Sequence, residues 1–328
     1  MSEARRTSRT PDVVVLGQVA RDLVLEVAEL PPGGDATPIT RRQELLGGKG
    51  ANQAVAWRQL GVDVALVGVV GDDDAGRSVL AQAADDGIDV AGVVVRQGAP
   101  TALLVDVVEE DGTRRLLEDA PGGVLLTAAD VRGSAEVLRA ARVVVLQLQQ
   151  PGAAILEALR VVDGADCLLV ADGAAEDADV MRAVLSAATV LRADAAEAAE
   201  VLGEELPGVE AVLDGARRLV ADGPRLVALE AGGDGNVAAW PDGHVVMPLL
   251  DEGPTLDPTG AGDAFVTGLV HALVEGADAE TAAWHGSAAA ALTVTKAGGR
   301  PDLHSGRVAE VARAARELAE ADRGSPRG

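Results

Sequence analysis

The sequence predicts an α/β fold, a doubly wound and mostly parallel sheet flanked by helices, with a small β-sheet lid attached. Three observations lead there. Short apolar runs rich in Val and Leu recur along the chain as buried-strand signals. Ala-rich stretches with helical start and stop residues lie between them, and alternation of strand and helix builds a parallel sheet covered on both faces. Two further segments, residues 23–46 and 98–123, alternate polar and apolar residues around turns and stand outside that rhythm.

Taken in order, "VVVLG" (13–17) opens the sheet and is followed by the first alternating segment. "GANQAVAWRQLG" then reads as a helix that begins after glycines and stops at Gly61, a residue suited to the left-handed turn that ends a helix. "VALVGVVG" (64–71) is the next strand, and "DDAGRSVLAQAADDG" a helix ending at Gly87. The second alternating segment folds back at "EEDGT", where Asp-Gly marks a hairpin. "VVVLQL" (143–148), "CLLVADG" (167–173), "ATVLRAD" (188–194) and "RLVALEA" (225–231) continue the main sheet. "NVAAWPDGHVVMPL" is a hairpin turning at Pro241-Asp242-Gly243 and extends it. A strongly apolar helix follows through Phe265, Val266, Leu269, Val270 and Leu273. No internal repeat is visible.

The 328 residues, 48% of them apolar, suffice for one main domain, expected over 12–322 with disordered tails at 1–11 and 323–328. A net charge of −24 would repel a phosphate backbone, and with no Tyr, one Phe (Phe265) and three Trp (Trp57, Trp240, Trp284) the chain cannot build a base-stacking platform. Nucleic acid is therefore excluded as a partner. No run reaches the roughly 18 apolar residues of a membrane helix, so no membrane partner is expected either. The N-terminal arginines lead into no apolar segment of signal-peptide type. The single cysteine, Cys167, reads as a small apolar residue, which suits a reducing, cytoplasmic setting. An acidic chain of this kind can still bind a phosphate where backbone N–H groups, a helix N-terminus or a metal ion reverses the sign locally.

Three motifs could carry chemistry. "GGKGAN" (47–52) sets Lys49, one of two lysines in the chain, in a turn ahead of a helix carrying Asn52 in its first turn. It is not a P-loop, because Gln43 and Gly50 occupy the positions that need Gly and Ser or Thr. A ligand contact and a solvated lysine at a glycine-rich helix start remain equally open. "GGDGNVA" satisfies the dinucleotide string G-x-G-x-x-A through Gly233, Gly235 and Ala238, but a hairpin follows instead of a helix, which rules that function out. In "DPTGAGDAF" (257–265), Gly260, Ala261 and Gly262 fall at a helix N-terminus whose unpaired N–H groups suit an anion. Asp263 beside them is either a general base for an attacking hydroxyl or a carboxylate paired with the helix dipole.

Together, "GGKGANQAVA" at 47–56 and "DPTGAGDAF" at 257–265 resemble the two signature segments of the ribokinase family of PfkB-type carbohydrate kinases, over roughly residues 12–315. "VVVLGQVARD" at the first strand and "VTKAGGRPD" after the last core helix fit in order and distance. The resemblance implies transfer of the ATP γ-phosphate to a sugar hydroxyl, with Asp263 as base and the backbone of Gly260, Ala261 and Gly262 as anion hole. It places sugar contacts at Asp22, from the first strand, and at Gly48, Lys49, Asn52, Gln149 and Asp263. Nucleotide contacts carry over to Asp194, Glu197, Glu230, Gly232, Gly235 and Ser287, with Mg2+ arriving on the nucleotide. A monovalent cation, usually K+, would sit at Asp257, Thr259, Thr293, Lys296, Gly298 and Asp302. The lid, at 23–46 and 98–123, would make the contact of a homodimer.

"GGKGANQA" is closer to ribokinases than to fructokinases or nucleoside kinases, which ranks ribose first among substrates. Four positions depart from the ribokinase pattern. Ala20 replaces an Asn and Gln149 a Glu on the sugar side, while Asp194 replaces the Asn of Asn-x-x-Glu and Glu230 a Thr on the nucleotide side. Added carboxylates near a triphosphate predict weakened ATP affinity. A kinase for another sugar, polyol or nucleoside, and a sugar-binding protein with impaired transfer, are the alternatives.

Overall fold

A computed structural model describes residues 11–295 and 300–324. In chain order, β1 (Val13–Leu16), β2 (Ala20–Val27) and β3 (Ile39–Gly47) lead into α1 (Lys49–Gln59), β4 (Val64–Gly71), α2 (Asp74–Asp85) and β5 (Asp89–Arg96). Next come β6 (Ala102–Glu109), β7 (Arg114–Asp119), the short helices α3 (Ala128–Gly133) and α4 (Ala135–Ala140), β8 (Val143–Gln147) and α5 (Gly152–Val162). They are followed by β9 (Leu168–Asp172), α6 (Ala178–Ala187), β10 (Val190–Ala193), α7 (Ala195–Leu202), α8 (Gly208–Asp222) and β11 (Leu226–Glu230). The hairpin β12 (Asn236–Trp240) and β13 (Gly243–Met247) precedes α9 (Ala261–Val274), α10 (Ala279–Thr293) and α11 (Ser305–Gly324).

Among the described residues, nine strands form the main sheet in the order β13-β12-β11-β10-β9-β8-β1-β4-β5. It is parallel from β11 to β5, and the β12–β13 hairpin adds antiparallel strands at one edge. Successive side chains of a strand point to opposite faces, and β1 shows how the core divides accordingly. Val13 and Val15 face a layer of α1, α2, α9, α10 and α11 built around Trp57, Phe265 and Trp284. Val14 and Leu16 face the layer of α3 to α8. Burial on both faces is why these strands are unbroken apolar runs in the sequence. No described helix is long and apolar enough to cross a membrane.

The alternating segments form a separate four-stranded sheet, order β3-β2-β6-β7, with β2 and β6 parallel and both outer pairs antiparallel. Its first strand starts at Ala20, three residues earlier than expected, so Asp22 belongs to this sheet and not to the first strand of the core. The reason lies at the exit from β1, where Gly17 packs directly on Gly50 at the start of α1. A Cβ on Gly50 would lie 2.7 Å from the Gly17 carbonyl carbon and 2.9 Å from the Gln18 oxygen. The chain must leave the core sheet at that crossing, and it turns into β2.

Because those neighbours are backbone atoms, Gly50→Ala should lower the unfolding free energy by about 1–3 kcal/mol. Urea denaturation monitored by Trp fluorescence checks this, and an unchanged midpoint would mean that the crossing has slack.

Candidate active site

Polar side chains gather where the parallel strands end. Gln147 closes β8, Asp172 closes β9, Arg192 is the penultimate residue of β10, and Glu230 closes β11. The chain order reverses between β8 and β1, and in open parallel sheets the crevice at the carboxyl ends beside such a reversal is the usual ligand position. A cleft of about 600 Å³ opens at the same edge of the sheet, beside the ends of β10 and β11, bounded by Lys49 from α1, Arg192, Glu230 and the first turn of α9. A comparable groove of about 690 Å³ between β13 and α11 has mainly apolar walls, including Leu249, Val311 and Leu318, and lacks that convergence of charge.

The first turn of α9 is shaped for an anion. Gly260 is its N-cap, in a left-handed conformation (φ +74°) that a side chain would disfavour, and no side chain caps the helix. Asp263, two residues into the helix, is buried; its Oδ2 accepts from Asn52 Nδ2 at 3.3 Å and its Oδ1 from Gln53 Nε2 at 3.1 Å. Burial and the charge of Asp172 push the Asp263 carboxyl up to about 7, against the pull of Lys49, Arg192 and the Gln53 hydrogen bond. A carboxyl so placed can take a proton from a hydroxyl near neutral pH.

A further layer fixes this one. Gln53 Nε2 also donates to Asp172 Oδ2 at 2.7 Å, and Arg192 Nη1 donates to Asp172 Oδ1 at 3.3 Å. The Arg192 guanidinium lies against the Cα of Gly262, so closely that any Cβ there would overlap it. Lys49 Nζ pairs with Glu197 Oε1 at 2.6 Å. Burial draws the Lys49 ammonium down, but Asp172, Glu197 and Asp263 outweigh it and the net shift is upward. Glu197 itself is set by a reciprocal cap on α7, its Oε2 accepting from Asp194 N at 2.9 Å while Asp194 Oδ1 accepts from Glu197 N at 2.8 Å. Gln149 is exposed at the same mouth, its amide 3.5 Å from Glu197.

The small sheet brings further charges within electrostatic reach of Asp263. Asp22 on β2 is buried against Gly47, where a side chain would collide with the carboxylate, and Asp22 Oδ1 has no hydrogen-bond partner. Burial and the charge of Asp106 push the Asp22 carboxyl up to about 8; Asp263 and Asp257 add to this and Arg114 opposes it. Arg114 of β7 pairs with Asp106 at 2.5 Å and reaches Asp257 at 3.8 Å. Gly48, at φ +87°, caps α1 with its Cα pressed against the Gln18 carbonyl.

Asp257 is fully buried and accepts from Thr259 N at 2.9 Å and Thr259 Oγ1 at 2.5 Å. The amides of Leu256 and Asp257 both donate to the Val294 carbonyl, which brings this loop against the end of α10, where Thr293 is buried. Lys296 and Gly298 lie outside the described residues, and Asp302 is exposed ahead of α11. Gly232 and Ser287 line the cleft, Ser287 donating to Met247 Sδ at 3.4 Å. Gly235, at φ +103°, turns the chain into β12. Burial raises the Glu230 carboxyl, with Arg192 opposing.

Sequence reasoning missed Gln53, Asp172, Arg192, Asp106 and Arg114. Two signals were present: Gln53 lies inside the quoted "GGKGANQAVA", and Asp172 and Arg192 interrupt the carboxyl ends of otherwise apolar strands. Asp106 and Arg114 belong to an alternating strand pair, where charged residues are ordinary.

Residues 10–305 match the family model described as pfkB family carbohydrate kinase. The chain is 30% identical to the ribokinase of Bacillus subtilis over 290 residues, covering 88% of this chain and 94% of that one. It is 32% identical to the ATP-dependent ribose-1-phosphate kinase of Halopiger xanaduensis, covering 88% and 93%. The bifunctional ribokinase/ribose-5-phosphate isomerase A of Fructilactobacillus sanfranciscensis is longer: at 26% identity the match covers 89% of this chain and 54% of that protein, about half its length. Among solved structures, Arabidopsis thaliana ribokinase complexed with ribose and ATP superposes with a TM-score of 0.77 at 24% identity, covering 93% of this chain and 99% of that one, which establishes likeness of fold.

A carboxyl that titrates higher when folded than when unfolded holds its proton more tightly in the folded state, so it contributes stability at low pH that is lost as pH rises. Asp22 therefore makes stability decline between about pH 4 and pH 8. Asp22→Asn should flatten that decline and exceed the parent chain at pH 8 by roughly 2–4 kcal/mol. Denaturant titrations across that range test it; a steeper decline in the variant would show that burial does not set this carboxyl.

Proposed function

The chain belongs to the pfkB family of carbohydrate kinases, phosphotransferases with an alcohol acceptor, and from that premise we propose that it transfers the ATP γ-phosphate to a primary hydroxyl of ribose or a similar pentose. The observation that carries this reading is the buried Asp263 carboxyl, set beside the uncapped first turn of α9 and raised to a pKa near 7. Asp263 takes the hydroxyl proton while the N–H groups of the Gly260–Gly262 turn face the charge on the transferring phosphoryl.

In this assignment Asp22, Asn52, Lys49, Gly48 and Gln149 contact the sugar. The unpartnered Asp22 Oδ1 is the best-supported of these, since a buried carboxyl oxygen without a hydrogen-bond partner suits a sugar hydroxyl. Gly232, Gly235, Ser287, Asp194, Glu197 and Glu230 border the nucleotide, which brings its own Mg2+. Asp257 with Thr259 fits a monovalent cation on the chemistry of its donors: a fully buried carboxylate beside a hydroxyl, in a loop held against the end of α10, with Arg114 at 3.8 Å as the competing cation. Such an ion, K+ in the first instance, would offset negative charge beneath the anion hole and hold its loop. The four-stranded sheet serves as the lid of a cytoplasmic kinase domain spanning residues 12–322, and its face is the contact of a homodimer.

A second reading, a pentose 1-phosphate as acceptor, is favoured by Arg114, a half-buried guanidinium on the sugar side, and by the name of the Halopiger relative. An ADP-release screen of pentoses, hexoses, nucleosides and pentose 1-phosphates, with and without K+, separates the two. Ribose is expected to turn over fastest and K+ to stimulate; a clear preference for a phosphorylated pentose would replace the first reading with the second.

Asp263→Asn should lower kcat about 1,000-fold while leaving ATP binding little changed. In the parent chain kcat/KM should fall as pH drops below about 7, because only the ionised carboxylate accepts the proton. Near-normal turnover by the variant would remove Asp263 from its role.

A further inference from the structure

A triphosphate entering the cleft meets, among the described residues, three carboxylates on its walls, Asp194, Glu230 and Asp263, and two cations, Lys49 and Arg192. Lys49 is engaged with Glu197 at 2.6 Å, on the side of the cleft shared with Asn52 and Gln149. Arg192 is placed differently. Its Nη1 edge is anchored on Asp172 at 3.3 Å, whereas its Nη2 edge lies against Gly262 and only 3.9 Å from Glu230, beyond hydrogen-bond length. A guanidinium carries five donors in a rigid fork, and among the described residues only Nη1 spends one, so the edge beside the first turn of α9 keeps donors for an anion held by that turn.

We propose that Arg192 binds the terminal phosphate oxygens of the nucleotide and supplies the positive charge that offsets Glu230 and Asp194. The inference rests on the ATP-dependent reading above and deepens it. It accounts for two features the motifs leave unexplained. Gly262 must lack a side chain for the guanidinium to reach the α9 turn. Glu230, which by itself repels a phosphate, instead draws the Nη2 edge toward the cleft. Asp172 is then a positioning residue: one oxygen holds Arg192, and the other holds Gln53, whose amide also orients Asp263. The phosphate cation and the proton acceptor are thus set by one carboxylate.

Calorimetric titration of the full chain with Mg-ATP and with adenosine separates phosphate recognition from nucleoside recognition without requiring turnover. Arg192→Gln should weaken ATP roughly 10- to 100-fold, the loss expected for charged hydrogen bonds, and leave adenosine unchanged. Arg192→Lys, which keeps the charge but not the fork, should weaken ATP less and serves as the probe if Arg192→Gln fails to fold. Equal weakening of ATP and adenosine, the signature of a structural role, would overturn the proposal, as would unchanged ATP affinity in both variants. A parent chain that binds ATP yet phosphorylates no sugar would sink the proposed function and leave this binding test intact.

Discussion

Holding the Asp263 carboxyl in the junction between α1 and α9 removes it from water, and much of the surrounding architecture bears on that one desolvated group. The residues that follow it in α9, Ala264, Phe265 and Val266, are apolar and buried, so the compensation has to come from the sheet and from the start of α1. Asn52 and Gln53 each donate one amide, and Lys49 and Arg192 add positive charge at longer range. The balance leaves the carboxyl near its ionisation point, neither fully paired as in a structural ion pair nor fixed as an acid. A carboxyl in that condition is poorly suited to holding a fold together and well suited to exchanging a proton.

That balance depends on backbone approach as much as on side chains. Gly17 and Gly50 let β1 and α1 cross in direct backbone contact, which carries Asn52 and Gln53 to the mouth of the sheet. Gly47 makes room for the Asp22 carboxylate, and Gly262 makes room for the Arg192 guanidinium. Each is a position where any Cβ would overlap a charged group or the backbone. The glycines of the two motifs therefore serve two ends: Gly48 and Gly260 adopt positive φ, while Gly47, Gly50 and Gly262, and Gly48 as well, leave no room for a Cβ.

The fold was legible because its strands are buried on both faces and so appear as continuous apolar runs, and because Gly61 and Gly87 end helices in the manner their sequence context suggests. The two glycine motifs were legible for the same local reason. What local pattern could not convey was which strand ends meet. Asp172, Arg192 and Glu230 are separated by up to 58 positions in the chain yet are neighbours at the edge of β9, β10 and β11, a proximity that exists only once strand order is known. Asp22 was assigned to the wrong strand because nothing in "VVVLGQVARD" marks the exit from the core sheet; the crossing of Gly17 over Gly50 does, and it is a contact between distant residues. Asp106 and Arg114 sit on an alternating strand pair, where charged residues are ordinary, and only the placement of β7 brings Arg114 to Asp257.

Electrostatics link these points. A chain with net charge −24 presents an unfavourable field to ATP, so the sign must reverse over a short distance inside the cleft. Helix α9 gives a partial positive end, but a partial charge alone stands against three wall carboxylates. The two cations that share the cleft are both held by acids that lie behind them: Lys49 by Glu197, and Arg192 by Asp172. Such acids do not cancel the field felt by a ligand in front, because the nearer charge dominates at contact distance in a site of low dielectric. They do fix where the cations point. Carboxylates at 194 and 230 are then tolerable for a geometric reason: the capping interaction turns Asp194 toward the α7 backbone, and Glu230 faces Arg192. Glu230 and the buried arginine thus form one arrangement, the acid offset by a cation that Asp172 fixes from behind.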